Sequence, residues 1–345
     1  MIFNYKILFF IPFLLFFNYI VIKISSRIKL KKVFQIQDIH AEDTSRFGGL
    51  VIIITSIVFF SVSKDYMLLK VILVSSIAII PAILEDLRIF VKPLVRLFLI
   101  FTSSYGAVLL VDTLPVFNIL FLLDFLNNHY FKLLFFTLGL AILMNGQNII
   151  DGTNGLSSFT SLSIFSCLFY IGLYKQDYYL INLTSFFIIC IVCFIVFNFP
   201  FGKIFLGDSG SYFLGFFSGY LVIKTYGQYS DLPTWSAMVI LLYPTLEVCF
   251  SYFRKIFQGS SPFLPDNKHL HLKIYFLIQK GHEKSTLYNS LVTPFLAIMW
   301  LTPLVALPFV IQIPKASFLV MFLMVLCYVF FYYSIPEPSK ENQKI

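Results

Sequence analysis

Charge is what this sequence has least of. Only 12% of its 345 residues are Asp, Glu, Lys or Arg and 59% are hydrophobic, where a soluble globular domain carries about 25% charged residues. A water-soluble fold is excluded by that balance, and the mean hydropathy of +0.86 agrees. Connectors long enough to fold by themselves are also missing. The length would suit two or three soluble domains, but apolar runs recur from end to end. One helical membrane domain over residues 1–335, with active-site loops on its cytoplasmic side and a short cytoplasmic tail over 336–345, is the expected organisation. The net charge of +8 does not gather into a basic patch with interleaved aromatics, which argues against a nucleic acid polymer as partner. Cysteine is scarce, and Cys167, Cys190, Cys193, Cys249 and Cys327 all lie inside apolar runs. The Cys190/Cys193 spacing puts two small apolar residues on one helix face and favours neither redox nor metal chemistry. The first run, from Ile7 to Ile22, lacks a small-residue cleavage site and leads into a basic segment, so it reads as a retained helix. There is no internal repeat.

What the chain does have is stretches that suit a bilayer. A spanning helix needs about 20 apolar residues, and eleven candidates lie at about 3–24, 48–63, 66–84, 94–111, 131–145, 156–174, 179–198, 210–226, 233–253, 289–310 and 315–334. The expected fold is therefore an all-α polytopic membrane protein of about eleven transmembrane helices. Cationic connectors favour the cytoplasm. With the connector from Lys23 to Arg46 placed inside, the cations at 88–96, 203, 254–284 and 340–344 fall inside too, and Lys6, Lys64, Lys70, Lys132, Lys175, Lys224 and Lys315 are left scattered outside. The amino terminus then faces out and the carboxyl terminus faces the cytoplasm. The apolar connector from Asp112 to Tyr130 is broken by Pro115 and Asp124 and reads as an outer hairpin. The 43 Phe and 20 Tyr suit lipid-facing surface and interfacial belts.

Five polar clusters interrupt the apolar background, and this topology puts all of them at cytoplasmic helix ends. Together they make a candidate site. The first is Arg46-Phe-Gly-Gly49. Next comes the pair Glu85-Asp86, which must share a proton, hold a metal or find a cation such as Arg88. The third runs from Asn145 to Leu156, with Asn145, Asn148 and Asp151 at three-residue steps that share a face if the helix continues, and with Asn154 beyond them. Their amides can read a base or sugar, and the carboxylate can take a cation. The fourth is Phe205-Leu-Gly-Asp208-Ser209-Gly-Ser211 at a helix start, where free amides attract phosphate. Asp208 is placed to hold a bridging divalent ion, and Phe205 either stacks on a base or anchors the helix. The last is Pro265-Asp266 with His269 and His271, two residues apart, which suits a loop projecting both imidazoles toward a phosphate. Glu247 lies inside a predicted span and reads as a structural ion or hydrogen-bond partner.

In this order the motifs Arg-x-Gly-Gly, acidic pair, Asn-x-x-Asn-x-x-Asp-Gly-x-x-Gly-Leu, Phe-x-Gly-Asp-x-Gly-Ser and His-x-His resemble the polyprenyl-phosphate sugar-1-phosphate transferases, the MraY/WecA-like glycosyltransferase family 4. The resemblance implies transfer of a sugar-1-phosphate from a UDP-linked N-acetylated amino sugar to a polyprenyl phosphate such as undecaprenyl phosphate. UMP would be released and Mg²⁺, or Mn²⁺ in its place, required. It implies Asp208 as the metal ligand and Glu85, Asp86 and Asp151 as catalytic groups. Arg46, Asn145, Asn148, Asn154, Phe205, Ser209, Ser211, His269 and His271 are implied as substrate-binding residues. The implied location is a bacterial inner membrane, crossed many times, at the initiating step of surface polysaccharide synthesis; a homodimer is left open. The chain departs from the family pattern in three places: Glu85 opens the acidic pair where Asp is common, Ile89 stands where a lysine is frequent, and Asn154 where many members have aspartate. The Pro-Asp-x-x-His-x-His form is closer to the surface-polysaccharide branch than to the peptidoglycan branch. A lipid-linked sugar transporter and a non-catalytic family member are the rival readings.

Overall fold

The computed structural model describes residues 5–25, 44–116, 128–262, 266–280 and 283–337. The expectations for most of the 23–46 and 112–130 connectors, for Pro265 and for most of the tail therefore lie outside the described residues. Among these residues there are thirteen α-helices and no strand. They are α1 (Phe10–Ser25), α2 (Gly48–Val62), α3 (Tyr66–Asp86), α4 (Pro93–Leu109), α5 (His129–Ile149), α6 (Leu156–Lys175), α7 (Tyr178–Asn198), α8 (Gly207–Gln228), α9 (Thr234–Phe257), α10 (Leu270–Gln279), α11 (Thr286–Phe295), α12 (Ala297–Val310) and α13 (Pro314–Ser334). Eight segments among them are long and apolar enough to cross a membrane. The chain is a polytopic membrane protein, and helices are what hydrocarbon permits, because each satisfies its backbone hydrogen bonds internally.

Four helix starts, those of α3, α5, α7 and α11, are capped by short polar side chains. Asp65, Asn128, Asp177 and Ser285 accept from the backbone N–H of Leu68, Tyr130, Leu180 and Leu287, satisfying donors that a helix end leaves open. Each of the eleven sequence candidates corresponds to helix, with one correction. The run over 289–310 is two helices, α11 and α12, meeting at Leu296. Pro294 just before the junction has no N–H to continue the ladder, and the Trp300 indole donates to the Thr293 carbonyl at 3.0 Å across the break. α10 is a short helix outside the candidate spans, and it carries His271.

α8 is the axis of the molecule. It packs against α2, α3, α4, α5, α6 and α9 and is buried along nearly its whole length. Its 22 residues reach about 33 Å at 1.5 Å per residue, enough to cross the hydrocarbon. A helix walled by protein does not need an apolar surface, so it tolerates Ser209, Ser211 and Ser218, all fully buried. More of the described phenylalanines are exposed than buried, as a lipid-facing surface requires, but a smaller set packs on and around α8. Phe60, Phe165, Phe186, Phe187, Phe213 and Phe217 are fully buried, with Phe165 stacked on Phe187 at 4.6 Å. Inside a membrane such van der Waals packing, not transfer from water, binds one helix to another.

Candidate active site

The amino-terminal end of α8 is where the distant motifs meet. Gly48 N–H donates to the Phe205 carbonyl at 3.0 Å, Gly49 N–H to the Leu206 carbonyl at 2.8 Å, and Phe205 N–H to the Ser45 carbonyl at 2.7 Å. The glycine pair is needed because α2 and α8 touch backbone to backbone: a Cβ on Gly49 would lie 2.2 Å from the Gly210 Cα. Gly207, at φ +77°, occupies left-handed backbone, and a Cβ there would lie 2.1 Å from the Arg46 carbonyl oxygen and 2.8 Å from Asp86 Oδ1. Arg46-x-Gly-Gly and Phe-x-Gly-Asp thus form one docked unit.

The acidic pair divides its labour. Asp86, at the last turn of α3 and 1% exposed, accepts at Oδ1 from Asp208 N–H at 2.8 Å. Its Oδ2 accepts from Ser209 N–H at 3.0 Å and from Ser209 Oγ at 2.6 Å. The expected free amides at the start of α8 are therefore occupied, because the favourable anion at this helix start is a side chain of the protein itself. Glu85 points elsewhere and meets Arg96 of α4, whose Nη1 lies 3.1 Å from Oε1 and 2.9 Å from Oε2. The pairing cation is Arg96 and not the adjacent Arg88, which stands in left-handed backbone at φ +65°. Asp208 acts electrostatically on both Glu85 and Asp86.

From α5, Asn148 Nδ2 donates to Asp208 Oδ1 at 3.1 Å and to Ser211 Oγ at 3.0 Å. The helix ends at Ile149 and a 3₁₀ turn over Ile150–Gly152 follows, so Asp151 sits on a tighter turn than a continuing helix would give. It lies beside Ser157 and within the fields of Asp208, Asp86 and Arg46. Two asparagines of this stretch turn away. Asn145 donates to the Ala141 carbonyl of its own helix at 2.8 Å. Asn154 is tied to α11: its backbone N–H reaches Asn289 Oδ1 at 2.6 Å, its Nδ2 reaches Ser290 Oγ at 3.0 Å, and its carbonyl accepts from Thr293 Oγ1 at 2.6 Å. Phe205 is half-buried at the docked loop.

His269 and His271 stand at the amino-terminal end of α10 and not on an open loop. Both are buried, and their rings lie 5.8 Å apart at 19°. Burial holds the His271 imidazole below the usual histidine range, against the opposing pull of Glu247. A Cβ on Gly152 would lie 2.9 Å from His271 Nε2, which joins the histidine helix to the Asp151–Gly152 turn. Nearby, Asp266 pairs with Arg254 at 2.8 Å and with Lys255 at 3.6 Å. Sequence reasoning missed Arg96; its signal was the Pro93 helix start, which brings α4 back beside the acidic end of α3.

Parts of this chain are similar to known proteins. Residues 68–226 match the sequence model of Glycosyl transferase family 4. The undecaprenyl-phosphate alpha-N-acetylglucosaminyl 1-phosphate transferase of Thermotoga maritima is 34% identical over 138 residues, 40% of this chain and 41% of that protein. A probable undecaprenyl-phosphate N-acetylglucosaminyl 1-phosphate transferase of Bacillus subtilis is 25% identical over 248 residues, 68% of this chain and 67% of that protein. The decaprenyl-phosphate N-acetylglucosaminephosphotransferase of Mycolicibacterium smegmatis is 30% identical over 171 residues, 43% of this chain and 41% of its own length. The matches to the Thermotoga and Mycolicibacterium proteins thus span about two fifths of those relatives. Residues 68–226, which run from α3 to near the end of α8, are thus similar to glycosyl transferase family 4.

Proposed function

We propose that this protein transfers a sugar-1-phosphate from a UDP-linked N-acetylated amino sugar to a polyprenyl phosphate, undecaprenyl phosphate in a bacterial inner membrane. UMP is released, and the product primes a cell-surface polysaccharide. The observation that carries the reading is the convergence of Asn148, Asp208, Ser211 and the acidic pair from α3, α5 and α8, at one end of a bundle where a lipid phosphate and a soluble nucleotide can meet. The relatives' printed names support the class of reaction. The Pro265-Asp266-x-x-His269-x-His271 form supports the surface-polysaccharide branch.

In this reaction an oxygen of the acceptor phosphate attacks the β-phosphorus of the donor. The new phosphoanhydride forms as the bond to UMP breaks, and the electron pair leaves with UMP. One anhydride replaces another, so catalysis rests on positioning and charge neutralisation. A phosphate monoester with a second pKa near about 6 is largely ionised at neutral pH and needs no strong base. The donor set suits a hard divalent cation: Asp208 offers carboxylate oxygen beside Glu85, and Asn148 orients it from behind. Among the described residues no three His, Cys, Asp or Glu form a ready-made metal cage. That fits Mg²⁺, which binds through one or two carboxylates and completes its shell with substrate phosphate and water. When bound there, Mg²⁺ supplies charge neutralisation to the donor diphosphate. Asp86 holds the start of α8, and with it Asp208, in place. Asp151 and Arg46 face the acceptor and donor phosphates, and the histidine helix closes the donor side.

The test is UMP release by purified protein with polyprenyl phosphate, Mg²⁺ and a panel of UDP-N-acetylglucosamine, UDP-N-acetylgalactosamine and UDP-linked 6-deoxy amino sugars, with the lipid product identified by mass spectrometry. Release and a polyprenyl-diphosphate sugar are expected, with Asp208→Ala slower by about 100-fold or more and with chelation abolishing turnover. A transporter or a non-catalytic member releases no UMP, and an undiminished rate in Asp208→Ala overturns the metal assignment.

A further inference from the structure

Glu247 is a carboxylate buried in the middle of the protein, on α9, 1% exposed. A buried charge is retained at a cost in stability, since an apolar residue of similar size would serve the packing as well or better. Its surroundings suggest what it is for. Glu247 Oε2 lies 3.3 Å from His269 Nδ1, and Oε1 lies 3.8 Å from His271 Nδ1. Those last two atoms are buried and have no hydrogen-bond partner, so a donor and an acceptor face each other across a gap that less than 1 Å of movement closes. One carboxylate therefore addresses the same ring nitrogen of both histidines, one with each oxygen. Tyr328 of α13 lies against the same group. On the far side of the His271 ring, Nε2 faces the Gly152 turn.

We propose that Glu247 is a positioning residue: its carboxylate holds His269 and His271 with protons on Nδ1, so that His271 Nε2 is the nitrogen presented to the substrate beside Asp151–Gly152. The chemistry is directional. An ionised carboxylate only accepts, so each Nδ1 that faces it must donate, and which nitrogen carries the proton is set by the partner of the other one. Ring orientation and tautomer are then fixed from within the membrane bundle, before any nucleotide arrives, by a side chain that never touches it.

The inference rests on the proposed transferase reading for its consequence but not for its geometry, and two measurements separate the two. Protein labelled with ¹⁵N at histidine and purified in detergent is expected to show Nδ1–H tautomers for His269 and His271, assigned by losing each signal in His269→Asn and His271→Asn. In Glu247→Gln the carboxamide NH₂ can donate to one imidazole Nδ1, and that ring is expected to switch to Nε2–H. UMP release by Glu247→Gln is expected to fall tenfold or more in kcat/KM for the UDP-sugar, with an unchanged thermal midpoint. Nε2–H tautomers for both rings in the wild type overturn the proposal, as do tautomers and kcat/KM that Glu247→Gln leaves unchanged. The wild-type spectrum decides even if that variant does not fold. If the wild type releases no UMP, the reaction is wrong while the tautomer measurement still judges Glu247.

Discussion

Asp86 is a structural part of the site before it is a chemical one. Three donors at the start of α8 converge on its two oxygens, and losing the carboxylate strands buried amides at about 1–3 kcal/mol each if unrelieved. Asp86→Ala is expected to lower the thermal midpoint of the detergent-purified protein clearly, and Asp86→Asn, which keeps one acceptor, to lower it less; equal midpoints for all three proteins would contradict the capping role. Glu85 and Arg96 form a second, separable unit, with side chains 16% and 29% exposed. Solvent reaches both, so their coupling is expected at about 1 kcal/mol and no more. A double-mutant cycle of Glu85→Gln and Arg96→Gln on the thermal midpoint measures it, and additive single effects would show that the pair is not coupled. The residue types at the site were legible because carboxylates, amides and glycines stand out against hydrocarbon. Their partners were not: Asp86 and Asp208 lie 122 positions apart, and one residue's step along α3 sends Glu85 and Asp86 to different neighbours.

Two helices, α2 and α8, are brought so close at their amino-terminal ends that only hydrogen fits where side chains would stand. Gly207→Ala would force a Cβ to 2.1 Å from the Arg46 carbonyl and a positive φ onto alanine. That costs more than the about 1 kcal/mol of an ordinary glycine replacement, and it displaces Asp208 from Asn148. Gly207→Ala is therefore expected to lose UMP release and to unfold at a lower temperature, whereas Gly139→Ala, which would meet nothing within 4 Å, is expected to leave both unchanged. The helices themselves were largely legible from the sequence, since an apolar run of spanning length has few alternatives. The break at Leu296 was announced only by Pro294. The short α10 was hidden because ten residues do not fill a span. The rank of α8 as the central helix was hidden as well, because its serines and glycines make it look less like a membrane helix than its neighbours.

The described cations are distributed unequally along the molecule. Arg46, Arg88, Lys92, Arg96, Lys203, Arg254, Lys255, Lys268, Lys273, Lys280 and Lys284 belong to the connectors and helix ends on the side where the site lies, and Lys64, Lys70, Lys132, Lys175, Lys224 and Lys315 to the other. That opposite end has its own polar seam, with Tyr179 donating to Asp65 at 2.8 Å, Tyr229 donating to Asp177 at 3.0 Å, and Lys175 paired with Asp231. Because Lys and Arg are retained on the cytoplasmic side, the site should open to the cytoplasm, the side on which the proposed reaction would find its nucleotide-sugar donor. Two exposed glutamines mark the two ends: Gln258, just after α9, on the side of the site, and Gln228, the last residue of α8, on the other. With Cys167, Cys190, Cys193, Cys249 and Cys327 replaced, a single cysteine at Gln228 should react with a membrane-impermeant maleimide added to intact spheroplasts. One at Gln258 should react only after the membrane is opened. The reverse pattern would invert the protein and put its site on the side without UDP-sugar, and the proposed reaction could not proceed there.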